Sequence, residues 1–543
     1  MDNRPQSRGA TTNPNLQPMN NQEQSRSGAG QPDAAGDPAA PSGKMKRFSG
    51  FFLLSFGYVG LRFLLSPVRS RLLTEQLSKP LYGALTLAVT TVTFLATLLA
   101  LGGYEFLARR LPGLPAARQK GWLSLLLRRL ALPGWLLSGA VAAALWALGC
   151  SGSWNAVDVL CLWVDLGLTL WLLYRVFYAL GCNRIGVLRS IQLFQNDLWF
   201  LAVVAAGAWA AASFQHTLWI WTGWLAALAA AVLVFDRRPG PSEAPQGEGV
   251  KDVLAYGLPL LPMMAGEIMF RLADRYLLLA FFDMAAVAEY TLAMNIAMMA
   301  YVTGASLLDL SIPHLYAAAN RRNEAAAAAE GAGGGVRVRC LAPPTDEMRR
   351  LFSLMLRHVI GLGSILGLGL AFFRDDIFAI IAGPEFRDAA ALLPSAAGVP
   401  LAFLVSTVAS RALLAENRSR LVGGATLGAA VLNLAADFVT VPRWGAPGAA
   451  LATLGSLVAL TVYLMAVLRA PRWIDLAAWR PVWLAAGVAG CAFGDWLIVT
   501  LLPEASPWVR IPLAAVPALL SCWLARIFTP ADMAILKTTR QEG

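Results

Sequence analysis

From Phe48 onward the chain reads as long apolar runs broken by Gly, Pro and short charged clusters, without the period-two alternation of a membrane β-barrel. Runs of about 20 apolar residues have the length an α-helix needs to cross a hydrocarbon core of about 30 Å, and a helix satisfies its own backbone hydrogen bonds in lipid. Counting runs between breakers predicts fourteen spans, centred near residues 59, 91, 140, 169, 203, 227, 266, 298, 363, 401, 431, 457, 491 and 519. The expected fold is an all-α integral membrane protein with two six-helix lobes around a central cavity and two peripheral C-terminal helices.

Two polar breaks organise the runs. DRRPGPSEAPQGEGVKD, residues 236–252, separates spans six and seven. Residues 44–238 are therefore expected to form the N-terminal lobe, 239–250 a cytoplasmic linker, 251–470 the C-terminal lobe, and 471–543 helices 13 and 14 with a tail. Within the second lobe, residues 320–350 carry runs of Ala and Gly and read as a low-complexity cytoplasmic loop. Residues 1–43 are rich in Pro, Gly, Asn, Gln and Ser and hold no aromatic residue, so they read as a disordered cytoplasmic tail. The first apolar run starts too late and extends too far for a cleavable signal peptide.

The composition sharpens this picture: 57% of residues are hydrophobic and 14% charged, against roughly a quarter charged in soluble domains. With the N-terminus placed in the cytoplasm, Lys and Arg concentrate in cytoplasmic loops, leaving Arg69, Arg71, Lys79, Arg374, Arg387, Arg443 and Arg510 outside. That asymmetry is the positive-inside pattern and puts both termini in the cytoplasm. The net charge of +11 then lies beside anionic headgroups and implies no nucleic-acid partner.

Against this background the stretch GEIMFRLADRYLLLAFF, residues 266–282, is unusual, because it places Glu267, Arg271, Asp274 and Arg275 in the seventh span. At about 100° per residue these four fall within an arc of roughly 100° on one helix face. A charge at mid-membrane costs at least about 2.5 to 3.5 kcal/mol, so this face is expected to line a polar cavity. The competing reading is a self-neutralised stripe, with Glu267 and Arg271 at i, i+4 and Arg271 and Asp274 at i, i+3. Arg62, in GYVGLRFLLSPVRSR of the first span, faces the same choice between the cavity and an internal ion pair or snorkelling. Pro259 and Pro262 are expected to kink the seventh span. Asp165, Asp309, Asn433 and Asp437 are candidate ion-coupling residues or polar joints between helices.

Catalytic constellations are not evident. His216, His314 and His358 are far apart, the six cysteines form no CxxC pair, and no GxxxxGK[ST] loop occurs. The chain is read as a non-enzyme without catalytic residues, metal or cofactor, driven by an ion gradient, the membrane potential or consumption of its product. A faint internal similarity links residues 78–102 with 284–308, the second span of each half, as parallel-repeat transporters would show.

KDVLAYGLPLLPMMAGEIMFRLADRYLLLAFFDMAAVAEYTLAMNIA, residues 251–297, resembles the seventh and eighth helices of the polysaccharide and O-antigen flippases in its YGLP entry, Asp-Arg pair and AEY element. VLNLAADFVTVPRWGAPGAALAT, residues 431–453, is similar to a second segment of that family, and the resemblance covers about residues 45–470. These diffuse elements identify the wider multidrug/oligosaccharidyl-lipid/polysaccharide exporter superfamily better than a substrate. The resemblance implies alternating-access translocation of a lipid-linked oligosaccharide or polysaccharide precursor to the outer leaflet. It also implies a place in the bacterial inner membrane, in cell-surface polysaccharide or lipopolysaccharide biosynthesis. The partners would be a polyprenyl-pyrophosphate-linked sugar, membrane lipid and other polysaccharide-assembly proteins. The arginines would meet the pyrophosphate, since guanidinium binds phosphate oxygens in a planar fork. Two alternatives stay open, a cation-coupled multidrug exporter of the same superfamily and a membrane glycosyltransferase or polymerase.

Overall fold

Apolar runs become helices throughout the computed structural model. It describes residues 42–529 except 112–113, 148–154, 183, 208, 210–212, 236–242, 244–248, 331–342, 417 and 528. No strand occurs among the described residues. The first half comprises α1 (Ser42–Gln76), α2 (Lys79–Leu99), the short α3 (Gly103–Arg110), α4 (116–147), α5 (Ala156–Gly181), α6 (185–206) and α7 (Phe214–Phe235). The second comprises α8 (Val250–Phe281), α9 (Met284–Glu330), α10 (Asp346–Phe372), the short α11 (Arg374–Ile381), α12 (Gly398–Ala415), α13 (Ser419–Leu468), α14 (Pro481–Leu501) and α15 (Pro507–Leu524). Residues Phe51–Gly543 form one compact unit. Met1–Gly50 is a separate unit whose described part, 42–50, is helical.

Eleven helices among the described residues are long and apolar enough to cross a membrane. One of them, α13, is two arms joined at Gly445, whose φ of 60° lies in the left-handed region that glycine tolerates. The fourteen expected centres all fall inside helices, which fits the expected count. Two local features refine the sequence reading. The expected loop 320–350 is shorter, because α9 continues to Glu330 through an Ala-rich, strongly helix-forming stretch, and α10 starts at Asp346 behind a Thr345 cap. Residues 331–342 lie outside the described residues, as do 1–41 of the expected tail and most of the expected linker 239–250. The expected kink in the seventh span is a 3₁₀ turn at Leu258–Leu260, where Pro259 interrupts the hydrogen-bond ladder of α8.

Packing positions the polar residues. The two arms of α13 embrace α8, and Gly266 permits it: a β-carbon there would come within 2.9 Å of the Thr426 carbonyl. Across the halves α2 packs on α9 and on α8. Helices α14 and α15 pair with each other, α14 against α10 and α15 against α11. Only 6% of the apolar window of α15 is buried, which makes it peripheral.

Candidate functional site

The charged face of α8 is divided by its neighbours. Glu267 and Arg271 are exposed, whereas Asp274 and Arg275 are 1% and 8% exposed. The Arg271 guanidinium lies 6.0 Å from the Phe94 ring of α2 and 5.7 Å from the Phe403 ring of α12, so it is suspended between an aromatic wall from each half. Glu267 interacts electrostatically with Arg271 and with Arg411 of α12, and Glu105 of α3 interacts with Arg411 and Glu267. Burial pushes the Glu105 carboxyl up from its ordinary value, with Arg411 opposing the rise and Glu267 adding to it. Two acids and two arginines from α3, α8 and α12 therefore meet where the halves face each other.

One turn further along, Arg275 turns toward α2 and donates to Thr90 Oγ1 at 2.8 Å. Asp274 turns the other way, into the clasp of α13. There it accepts from Tyr290 Oη of α9, from Thr453 Oγ1 at 2.8 Å and from Asn433 Nδ2 at 3.1 Å. Asn433 Nδ2 also donates to Asp437 Oδ2 at 2.8 Å, and Asp437 is itself in contact with Asp274. Asn433 and Asp437 are fully buried, and Asn433 Oδ1 and Asp437 Oδ1 have no hydrogen-bond partner. Two carboxyl groups, one from α8 and one from α13, thus meet in a buried pocket bridged by the Asn433 amide. No group of three or more His, Cys, Asp or Glu suited to a metal ion occurs among the described residues.

Arg62 belongs to a different cluster. It pairs with Asp197 of α6 at 3.2 Å, Arg69 approaches the same carboxylate at 3.8 Å, and Tyr58 Oη donates to it at 3.4 Å. A π turn over Leu193–Asp197 frees the Asn196 carbonyl, which accepts from Arg69 at 2.7 Å.

The halves touch at both ends of this region. At one end Lys79 pairs with Glu289, and Gly83 of α2 abuts the Met284 carbonyl of α9. At the other, Gly102, with φ of 72°, sits so close to α8 that an added β-carbon would stand 2.6 Å from Gly257 Cα.

No protein-family model and no curated protein matches the chain. Solved structures do. "Lipid II flippase MurJ, inward closed conformation" aligns with a TM-score of 0.66 at 12% identity, over 87% of this chain and 99% of that one. The chain has the MurJ fold. MATE family transporters of the MOP superfamily align less closely. The inward-facing one gives a TM-score of 0.53 at 14% identity over 77% of this chain and 98% of that one, and the outward-facing one 0.52 at 11% over 79% and 95%. Identities this low establish the architecture alone.

On this MurJ-like fold the residues singled out from the sequence fall into separate places. Glu267 and Arg271 lie between the halves, Asp274 joins Asn433 and Asp437, Arg275 binds Thr90, and Arg62 is paired with Asp197. Asp165 stands apart, fully buried, and accepts from Thr222 Oγ1 at 3.0 Å. The side chain of Asp309 lies outside the described residues. Sequence reasoning missed Glu105, Arg411, Asp197, Tyr290 and Thr453. An acid or arginine inside an apolar run, as in FQNDLWF around Asp197, was the available signal; Tyr290 and Thr453 fall within the segments that carry the resemblance, but nothing in those segments ties them to Asp274 before the helices are packed.

Proposed function

We propose that this protein is a flippase that moves a lipid-linked oligosaccharide or polysaccharide precursor from the cytoplasmic to the outer leaflet. The observation that carries this reading is Arg271, an exposed arginine held between the two halves of a MurJ-like bundle. A lipid flippase must shelter an anionic headgroup while the tail stays in lipid, and a guanidinium offers a pyrophosphate two parallel hydrogen bonds. Arg411 beside it would add a second positive charge. We assign the cluster Asp274, Asn433, Asp437 and Thr453 the role of the coupling site, where a proton or monovalent cation relieves the facing carboxylates. Its ligands come from α8 and both arms of α13, so occupancy would tighten those helices together. Residues 44–238 and 251–470 are proposed as the two lobes that rock about the region between them. The bacterial inner membrane with both termini cytoplasmic, and work alongside other polysaccharide-assembly proteins, complete the proposal.

The test is export of surface polysaccharide in a flippase-deleted strain, normalised to protein in the membrane. Arg271→Ala is expected to lower export at least about tenfold, and Arg271→Lys to restore part of it, because Lys keeps the charge and loses the planar fork. Asp274 is bound elsewhere, so the pair that can neutralise itself is Glu267 with Arg271. Wild-type export from a Glu267→Gln, Arg271→Gln double variant would exclude contact between this arginine and the cargo. The acids Glu105 and Glu267 favour a second reading, a cation-coupled multidrug exporter. That reading predicts that the protein lowers cellular accumulation of organic cations and leaves surface polysaccharide unchanged.

A further inference from the structure

The two ends of α13 meet at one small pocket of about 40 Å³, where Arg418 precedes the first arm and Arg469 follows the second. The end of α12 supplies Glu416, and the 3₁₀ turn Ala470–Arg472 supplies Arg472. Three arginines and one acid therefore line a single space. The acid is already engaged, because Arg322 Nη1 of α9 donates to Glu416 Oε1 at 2.7 Å. Arg469 and Arg472 are exposed, and neither guanidinium has an ion-pair or hydrogen-bond partner among the described residues. The Arg472 amide donates to the Arg469 carbonyl at 2.9 Å, so the two stand three apart in a 3₁₀ turn, where side chains at i and i+3 eclipse. Two like charges are thus set on one side of one turn. Arg469 also has φ of 55° and ψ of 56°, the left-handed backbone that glycine takes freely and arginine takes only with strain. Glycine is the usual residue at such a helix end, so an arginine kept there, beside two more, points to a use for its charge.

Size, charge and surroundings decide what the pocket takes. The space is only a few times the ~10–15 Å³ that one water needs, so it admits a single compact group and leaves the rest of that group's molecule outside. Guanidinium groups meet phosphate oxygens in a planar fork, which makes a phosphate the matching anion. The remaining walls are apolar, from Leu413, Val467, Leu468 and the buried Trp473. The pocket also sits at the ends of α12 and α13, helices long and apolar enough to cross a membrane. Headgroups lie at that level, and basic pockets between spanning helices are where anionic ones settle. Below Arg469 the second arm of α13 carries an apolar track: Val462 and Val458, seven and eleven residues earlier, share its helix face and are 62% and 46% exposed. A free phosphate has no use for that track, whereas acyl chains do.

We propose that Arg418, Arg469 and Arg472 bind the phosphate of an anionic phospholipid, which ties both ends of α13 to α12 while its acyl chains lie along Val458 and Val462. The site is separate from Arg271 and makes no demand on what the cargo is. The test titrates the purified full chain in neutral detergent with phosphatidylglycerol and with phosphatidylcholine, and reads binding as a rise in Tm. Wild type is expected to bind phosphatidylglycerol at least about tenfold more tightly, the effect of one charge-assisted contact. An Arg469→Gln, Arg472→Gln double variant should lose that preference. A Lys251→Gln, Arg420→Gln double variant removes the same charge at exposed positions outside the pocket and should keep it. Arg469→Gly relaxes the left-handed backbone, so it should be at least as stable as wild type without lipid and still bind phosphatidylglycerol more weakly. Equal affinity of wild type for the two lipids, or an equal loss in both double variants, overturns the proposal and leaves only diffuse attraction to a basic face. A Tm raised by inorganic phosphate and not by phosphatidylglycerol overturns the lipid source and makes this a site for a water-soluble phosphate.

Discussion

Asp437 shows how much one carboxylate depends on its surroundings. It is fully buried, shares the Asn433 amide with Asp274, and has one oxygen without a partner. An ion taken up between the two acids would satisfy that oxygen, whereas a neutral amide in its place would end the repulsion permanently. We therefore expect Asp437→Asn to fold at least as well as wild type, with Tm unchanged or raised by a few degrees, and to lose the response of transport to an imposed proton or sodium gradient. Transport into vesicles with and without each gradient measures this, and a full response from the variant would remove Asp437 from coupling. The acids and arginines of this region were visible in the sequence because charges stand out in apolar runs. The pairing was not: Tyr290 and Thr453 lie in segments noted for their resemblance, but their contact with Asp274 exists only once α9 and the second arm of α13 bring them to it. Likewise, counting at about 100° per residue put Glu267, Arg271, Asp274 and Arg275 on one helix face, and only the packing of α13 on one flank and α2 on the other separates the exposed pair from the buried pair.

At the scale of elements, the fit of α8 into α13 rests on small residues. A β-carbon at Gly266 would meet the Thr426 carbonyl and the Leu427 backbone nitrogen at 2.9 Å and 3.0 Å, groups fixed in a helix that cannot step aside singly. Gly266→Leu is thus expected to push α8 away from α13, lower Tm by several degrees, corresponding to about 1–3 kcal/mol of overpacking, and weaken the gradient response by stretching the Asn433–Asp274 bond. Thermal unfolding followed by scattering, together with the same vesicle assay, checks both effects; a variant with wild-type Tm would show that the two helices have slack. Helix positions themselves were legible from apolar period and breakers, and the break at Gly445 lies in PRWGAPG, residues 442–448, between the expected centres 431 and 457. The length of α9 was not legible, since an Ala run serves equally as low-complexity loop and as good helix.

For the whole molecule, the two last helices raise the question of what the bundle needs. Much of their apolar surface is exposed, with Val482, Trp508 and Trp523 at 76%, 71% and 75%. They are nevertheless anchored: Arg510 of α15 pairs with the buried Asp376 of α11, and Leu484 and Ile527 close over Gly361 of α10. Burial pushes the Asp376 carboxyl up from its ordinary value, with Arg510 opposing the rise. Truncation after residue 480 is expected to leave an inserted protein that still transports, with a lower Tm because Asp376 has lost its partner. Adding Asp376→Asn to the truncation should recover part of that loss. Transport abolished in a truncated protein that remains folded would instead give these helices a direct share in moving cargo.

The meeting of Gly102 with Gly257 has an electrical meaning. A carrier keeps the membrane an insulator only while no continuous aqueous thread joins its two mouths, and at this end the insulation is backbone laid against backbone, with no side chain to swing aside. The contact is thin, one stretch of backbone deep, and rests on two residues that carry no side chain. A single methyl at Gly257 would collide with the Leu101 carbonyl and prise the contact open. The cost of that methyl would fall on the cell's proton battery as a standing current, whether or not any cargo was aboard.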